Sequence, residues 1–268
     1  MAFARLIPKG EEAMNVVATQ PADLSLEAST GYARARLGLI IPSSNRLTEP
    51  QFRRFMPSDV AVHATRLQMT GQNRKTLPQL LDEVARASAA LADARCDVIV
   101  FHCTANSMEH GPEGEQKILD VVRKETGAEA LSTAQAVVSA FRAVKVNSMV
   151  LFSPYQQAAN DHEKDYLQAL GFRVLHDVAL GVTPNEYLTV PPHRWIEVVR
   201  ANLRDEADGY FLSCTNTTQI DTIAHLEPEL RKPVINSNQA TIWAACKLLG
   251  QKLGPQALSP LLGSLIER

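Results

Sequence analysis

The chain has 268 residues, 45% of them hydrophobic and 21% charged, which is the balance of an ordinary soluble globular protein with room for one large domain or two small ones. A formal net charge of −2 supplies no electrostatic reason to expect nucleic acid or an acidic membrane as a partner. No apolar run approaches the roughly 20 residues that span a bilayer, and Pro8, Gly10, Glu11 and Glu12 interrupt the N-terminus before a signal-like core forms, so a cytoplasmic location is expected.

Residues 1–33 show little periodicity and are expected to form an arm. LGLII (37–41) then reads as a short buried strand that ends at Pro42-Ser43-Ser44-Asn45, and VAVHATRL (60–67) as a second strand. Thr76 offers an N-cap with Pro78 in the first turn, and Leu77, Leu80, Leu81, Val84, Ala87 and Leu91 form a helical apolar face. DVIVF (97–101) is a third strand. The later half repeats the scheme with SMVLF (148–152), FRVLHDV (172–178), a helix near 193–204, GYFLS (209–213) and PVIN (233–236). Short buried strands alternating with helices predict an α/β fold with parallel sheets covered on both faces.

An internal repeat organises these elements. LIIPSSN (39–45) aligns with VLFSPYQ (150–156), and VIVFHCTANS (98–107) with GYFLSCTNTT (209–218), both at a shift of 111 residues. The expectation is two α/β lobes related by a pseudo-twofold axis, one from 34–131 plus 237–268 and the other from 132–236. Ligands of such sheets bind outside the carboxyl ends of the strands, where all four of these loops should converge on an interlobe cleft.

The four cysteines are too few for a disulfide framework in a chain this long, and no CxxC pair or zinc-ligand spacing occurs. Cys96, at a strand entrance, and Cys246, within a helical pattern, read as small buried hydrophobes. Cys103 and Cys214 differ, because each directly follows a buried strand and precedes a threonine, Thr104 and Thr215. Backbone N–H groups in such turns form anion-binding concavities, so a lowered thiol pKa is expected at both. Two thiols flanking a planar carbon can abstract a proton from one face and deliver one to the other; alternatively, one adds to carbon while its partner handles the proton. Ser43, Ser44 and Asn45, with Tyr155 in the counterpart loop, offer neutral donors for a carboxylate or an enolate-like oxygen. His102 adjoins Cys103, but neighbouring strand residues point to opposite faces, which makes a Cys–His dyad geometrically poor. His110, His162 and His193 are expected at the surface. No phosphate-cradling loop is present, and no cofactor is implied.

Together with Ser237-Asn238-Gln239-Ala240, these motifs resemble the maleate cis–trans isomerase and arylmalonate decarboxylase branch of the aspartate/glutamate racemase superfamily, over roughly residues 35–250. The resemblance implies two Rossmann-like lobes, a small carboxylic-acid substrate, no metal or organic cofactor, and a homodimer or higher homo-oligomer. It also implies Cys103 as nucleophile, Cys214 as proton donor, and Asn45, Tyr155 and Asn185 as ligands of substrate carboxylate and intermediate. Thr104, Thr215 and Asn216 would supply further hydrogen bonds. Decarboxylases of the branch carry glycine at the first cysteine position, so the pair found here implies isomerase or racemase chemistry.

Overall fold

A computed structural model of the chain describes residues 33–69 and 75–250. Apart from Ala33, the expected arm lies outside the described residues, as does 251–268 of the expected first lobe. Among the described residues no helix is long and apolar enough to cross a membrane.

Two four-stranded parallel sheets share one topology. The first runs β2 (Val60–Leu67), β1 (Ala35–Pro42), β3 (Val98–Phe101), β4 (Glu129–Ser132). The second runs β6 (Arg173–Ala179), β5 (Ser148–Ser153), β7 (Gly209–Leu212), β8 (Val234–Asn236). The helices are α1 (Thr48–Phe55), α2 (Leu77–Asp93), α3 (Thr104–Met108), α4 (Gly111–Thr126), α5 (Thr133–Ala143), α6 (Gln157–Ala169), α7 (Pro192–Arg200), α8 (Ile223–Leu230) and α9 (Ser237–Leu248). Thr76 caps α2 through a capping box with Gln79, two reciprocal bonds that satisfy otherwise orphaned N–H groups.

The period-two alternation of a strand sorts β1 between two cores. Leu37, Leu39 and Ile41 face a cluster shared with Met149, Leu151, Phe211 and Ala240, which joins both sheets through α5 and α9. Ile40 faces the opposite side, with Ile99, Phe101, Leu80 and Ile118 beneath α2 and α4. Helix α9 is buried on every side from Ser237 to Cys246, because it lies between the lobes. Cys96 and Cys246 are buried, as their sequence settings suggested.

The repeat reaches beyond the two windows that reveal it. Asp97 Oδ2 accepts the Arg36 N–H at 2.7 Å, and Asp208 Oδ2 accepts the N–H groups of Asn147 and Ser148 at 3.0 and 2.8 Å, so each lobe starts its central strand on an aspartate. The alignment at the first junction, however, is one residue off. Phe101 lies opposite Ile40, and its repeat mate Leu212 lies opposite Phe152, so β1 and β5 correspond at a shift of 112 while β3 and β7 keep 111. Pro42 therefore matches Pro154, and Ser43 matches Tyr155. A strand buried on both faces is apolar throughout and carries no period-two signal to fix its register.

Candidate active site

The strand ends deliver their loops to one place. A cavity of about 130 Å³ opens there, its first-lobe wall including Ser44, Asn45, Cys103, Asn106 and Glu109 and its second-lobe wall including Tyr155, His162, Tyr187, Cys214, Thr215 and Asn216. A water takes a share of roughly 30 Å³ in the liquid, so this space corresponds to about four waters, the scale of a small molecule. Among the described residues no three His, Cys, Asp or Glu side chains group to hold a metal ion.

Both cysteines line the cavity, on different backbones. Cys103 is extended, at φ −156° and ψ 114°, and N-caps α3. Cys214 has φ +126°, a region that side chains rarely adopt. One hydroxyl ties the two turns together: Ser237 Oγ accepts from Thr104 Oγ1 at 2.8 Å and from the Cys214 N–H at 3.2 Å. Asn238 ties them a second time, its Nδ2 donating to Thr215 O at 3.1 Å and its Oδ1 accepting from His102 Nε2 at 2.8 Å. Burial lowers His102 to about 4, so the ring is neutral. It points away from Cys103, toward Thr133 and the edge of Phe52, as strand alternation requires.

Asn45 closes the seam between the lobes. Its Oδ1 accepts the N–H groups of Leu47 and Thr48 at 3.1 and 2.9 Å at the start of α1, while Nδ2 donates to Thr215 O and Oγ1 at 3.3 and 3.1 Å. Asn216 Oδ1 accepts from Arg46 N–H at 2.9 Å, and Arg46 reaches the Asn185 carbonyl at 2.7 Å. Capping and interlobe contact thus occupy the Asn45 amide.

Of the expected site residues, Ser44, Asn45, Tyr155, Thr215 and Asn216 line the cavity with the two cysteines. Three do not. Ser43 turns outward, its hydroxyl bonded to Met69; Thr104 is fully buried against Ser237; and Asn185 is exposed on the loop held by Arg46. Conversely, His162 does not lie at the surface but half-buried on the cavity wall, and His110 is half-buried at the start of α4; His193 is exposed. Asn106, Glu109, Tyr187 and His162 carry no sequence signal for the site, since α3, α6 and a single turn at Tyr187–Thr189 bring them there.

The expected lowering of the thiols is overturned. Burial pushes Cys103 up to about 12; Cys214, Glu163 and Glu109 add to the rise, and a hydrogen bond with Asn106 opposes it. Burial likewise pushes Cys214 up to about 12, against hydrogen bonds from the Tyr155 hydroxyl and the Asn216 N–H, the latter at 3.3 Å. The turn donors anticipated from sequence exist at Cys214, but they are outweighed by desolvation, and the cavity wall holds no lysine or arginine. Burial raises Tyr155 well above its ordinary range too. At the sulfurs the site therefore offers thiols, beside two phenols and amide and hydroxyl donors, with Glu109 and His162 also on its wall.

The family model described as arylmalonate decarboxylase matches residues 37–262. The chain belongs to that family. It lies in the branch of the aspartate/glutamate racemase superfamily that also holds maleate isomerases. A maleate isomerase from Geobacillus stearothermophilus is 26% identical over 246 residues, covering 86% of this chain and 96% of the relative. The arylmalonate decarboxylase of Bordetella bronchiseptica is 24% identical over 217 residues, covering 80% and 90%. Among solved structures, the Nocardia farcinica maleate cis–trans isomerase, in a cysteine-to-serine variant with a covalently bound succinylcysteine intermediate, superimposes with a TM-score of 0.75 at 24% identity, over 81% of this chain and 94% of that one. That likeness establishes the fold.

Proposed function

We propose that the chain is a cofactor-independent isomerase that interconverts the cis and trans forms of a small enedioate, maleate to fumarate in type. The observation that carries this reading is the pair of thiols, Cys103 and Cys214, brought from equivalent strand ends of both lobes to the wall of one small cavity. Isomerase relatives, and a succinylcysteine captured in one member of the fold, support it.

Cys103 first releases its proton to water and, as thiolate, adds to one olefinic carbon while the π pair moves toward the far carboxylate; it takes a proton back from water once the carbon–sulfur bond has broken. Cys214 delivers its proton to the adjacent carbon, leaving a succinyl thioether whose central bond is single and free to rotate. Return of the proton to Cys214 and cleavage of the carbon–sulfur bond release the trans acid, with no net change in protons or electrons. Tyr155, whose hydroxyl already points at the Cys214 sulfur, stabilises charge developing on the intermediate, with Ser44, Asn45, Thr215 and Asn216. Thr104 acts through Ser237, Ser43 through the Met69 loop, and Asn185 closes from the strap held by Arg46. The same reading carries a homodimer or higher homo-oligomer in the cytosol, which sedimentation checks for assembly.

Proton NMR of maleate incubated with wild type, Cys103→Ala and Cys214→Ala is the test. Fumarate should appear with wild type only, each variant losing several orders of magnitude because the thiols act as a unit. Release of carbon dioxide from phenylmalonate by wild type, with maleate untouched, would reverse the assignment toward the decarboxylase relatives.

A further inference from the structure

Helix α6 buries Asn160, Glu163, Tyr166 and Leu167, and presents Ala159 and His162 to the cavity. Glu163 follows Ala159 by four residues, so it occupies the same helical face one turn on, behind the cavity wall. The residue is fully buried, and neither carboxyl oxygen makes a hydrogen bond of ordinary geometry. Ser213, the residue before Cys214, faces it closely enough to interact, yet its own hydroxyl is equally without such a bond. Cys103 from the end of β3, Cys214 from the end of β7, Tyr155 from the loop after β5 and Tyr187 all lie within reach of its charge. No lysine, arginine or histidine is among the groups that act on the carboxyl. Elsewhere on α6, Tyr166 is hydrogen-bonded to Glu115, and Lys164 pairs with Asp177 at 3.0 Å.

We propose that Glu163, a carboxyl sealed without a cation behind both cysteines, is the positioning residue that sets the charge state of the thiol cavity: neutral, it permits thiolate at Cys103 and Cys214, and ionised, it suppresses it. An unpaired buried carboxylate is costly, so burial drives this acid to hold its proton, with a pKa raised to about 8. Below that point Glu163 adds no charge behind the sulfurs, and Glu109 on the cavity wall acts on Cys103 but not on Cys214. Above it a fixed negative charge sits beside two thiols and beside any bound anion, in an interior that screens poorly. Ordinary thiol reactivity climbs about tenfold per pH unit until the thiol itself titrates. Here the climb is checked earlier, by a group that never touches the substrate. The catalytic consequence rests on the isomerase reading, but the effect on the thiols does not.

Carbamidomethylation of wild type and Glu163→Gln by iodoacetamide, from about pH 6 to about pH 10 with mass-spectrometric mapping, separates the two. For Cys103 and Cys214 the wild-type rate should bend downward near pH 8, while the glutamine variant keeps climbing and is roughly tenfold faster at the alkaline end. Cys96, which answers to Asp97 and Arg36, should respond identically in both proteins. Superimposable profiles at Cys103 and Cys214, or a bend that survives in the variant, overturn the proposal. Should Glu163→Gln fail to fold, carboxyl carbon-13 NMR of wild type decides, with Glu115→Gln used to assign the other buried glutamate. A glutamate other than Glu115 titrating near pH 8 supports the assignment, and its absence ends it. None of these measurements uses a substrate, so inert maleate would sink the isomerase reading and leave this one standing, while normal turnover with superimposable labelling would do the reverse.

Discussion

Cys214 and Cys103 stand at equivalent strand ends, yet the stability difference between glycine and alanine should not be the same at the two. At Cys214 the φ of +126° strains any residue with a Cβ, by about 1–3 kcal/mol. Glycine removes that strain but costs about 0.5–1 kcal/mol in chain entropy, and it forfeits a buried methyl group worth about 0.8 kcal/mol. At Cys103, with φ −156°, only the two costs apply, so alanine should be more stable than glycine by about 1.5 kcal/mol. Both substitutions delete the thiol, so its lost contacts cancel within each pair. What remains between the two sites is the strain at Cys214 alone, about 1–3 kcal/mol in favour of glycine. Urea denaturation of the four variants measures it, and thermal melting should show about 2–4 °C for each kcal/mol in a domain of this size. Activity is not required. If the glycine-minus-alanine difference agrees at the two positions within about 0.5 kcal/mol, the backbone at Cys214 is unstrained and the reasoning is wrong.

Cys103 should react with iodoacetamide near neutral pH about a thousandfold more slowly than an unperturbed thiol, because its pKa rises from 9.0 to about 12; a rate equal to that of a model peptide would refute the burial argument. Asn45→Ala removes two bonds to α1 and two to Thr215, and should cost about 2–3 kcal/mol in urea midpoint analysis while lowering kcat/KM further through the separated lobes. Gly209→Ala should destabilise by about 1–3 kcal/mol, since the new methyl would lie 2.7 Å from Val146 Cγ2 and 2.9 Å from the Pro233 carbonyl; unchanged stability would mean that β7 can shift. Wild type should also lose stability relative to Glu163→Gln as pH rises from about 4.5 through about 8, because an acid with a raised folded pKa favours folding below that window; parallel urea midpoints across it would contradict the burial of an ionisable group there.

Local sequence was enough for the parallel α/β class, the bounds of most strands, the doubled architecture and the placement of two cysteines at matching strand ends, because each of these rests on hydrophobic runs and on the residues that interrupt them. VAVHATRL became β2 without a change of boundary, and the buried fate of Cys96 and Cys246 was equally legible. EALS, with only two apolar residues, showed no strand, and β4 exists because β3 offers it an edge. The one-residue slip between β1 and β5 was hidden because strands covered on both faces are apolar at every position. The chemistry of the site was hidden for a further reason. Whether a thiol is acidic, whether His162 sees solvent or cavity, and whether Glu163 keeps its proton depend on how much water neighbouring elements remove and on what charges they bring. Those elements arrive from other parts of the chain, so desolvation is decided by packing, and only the tertiary structure contains it.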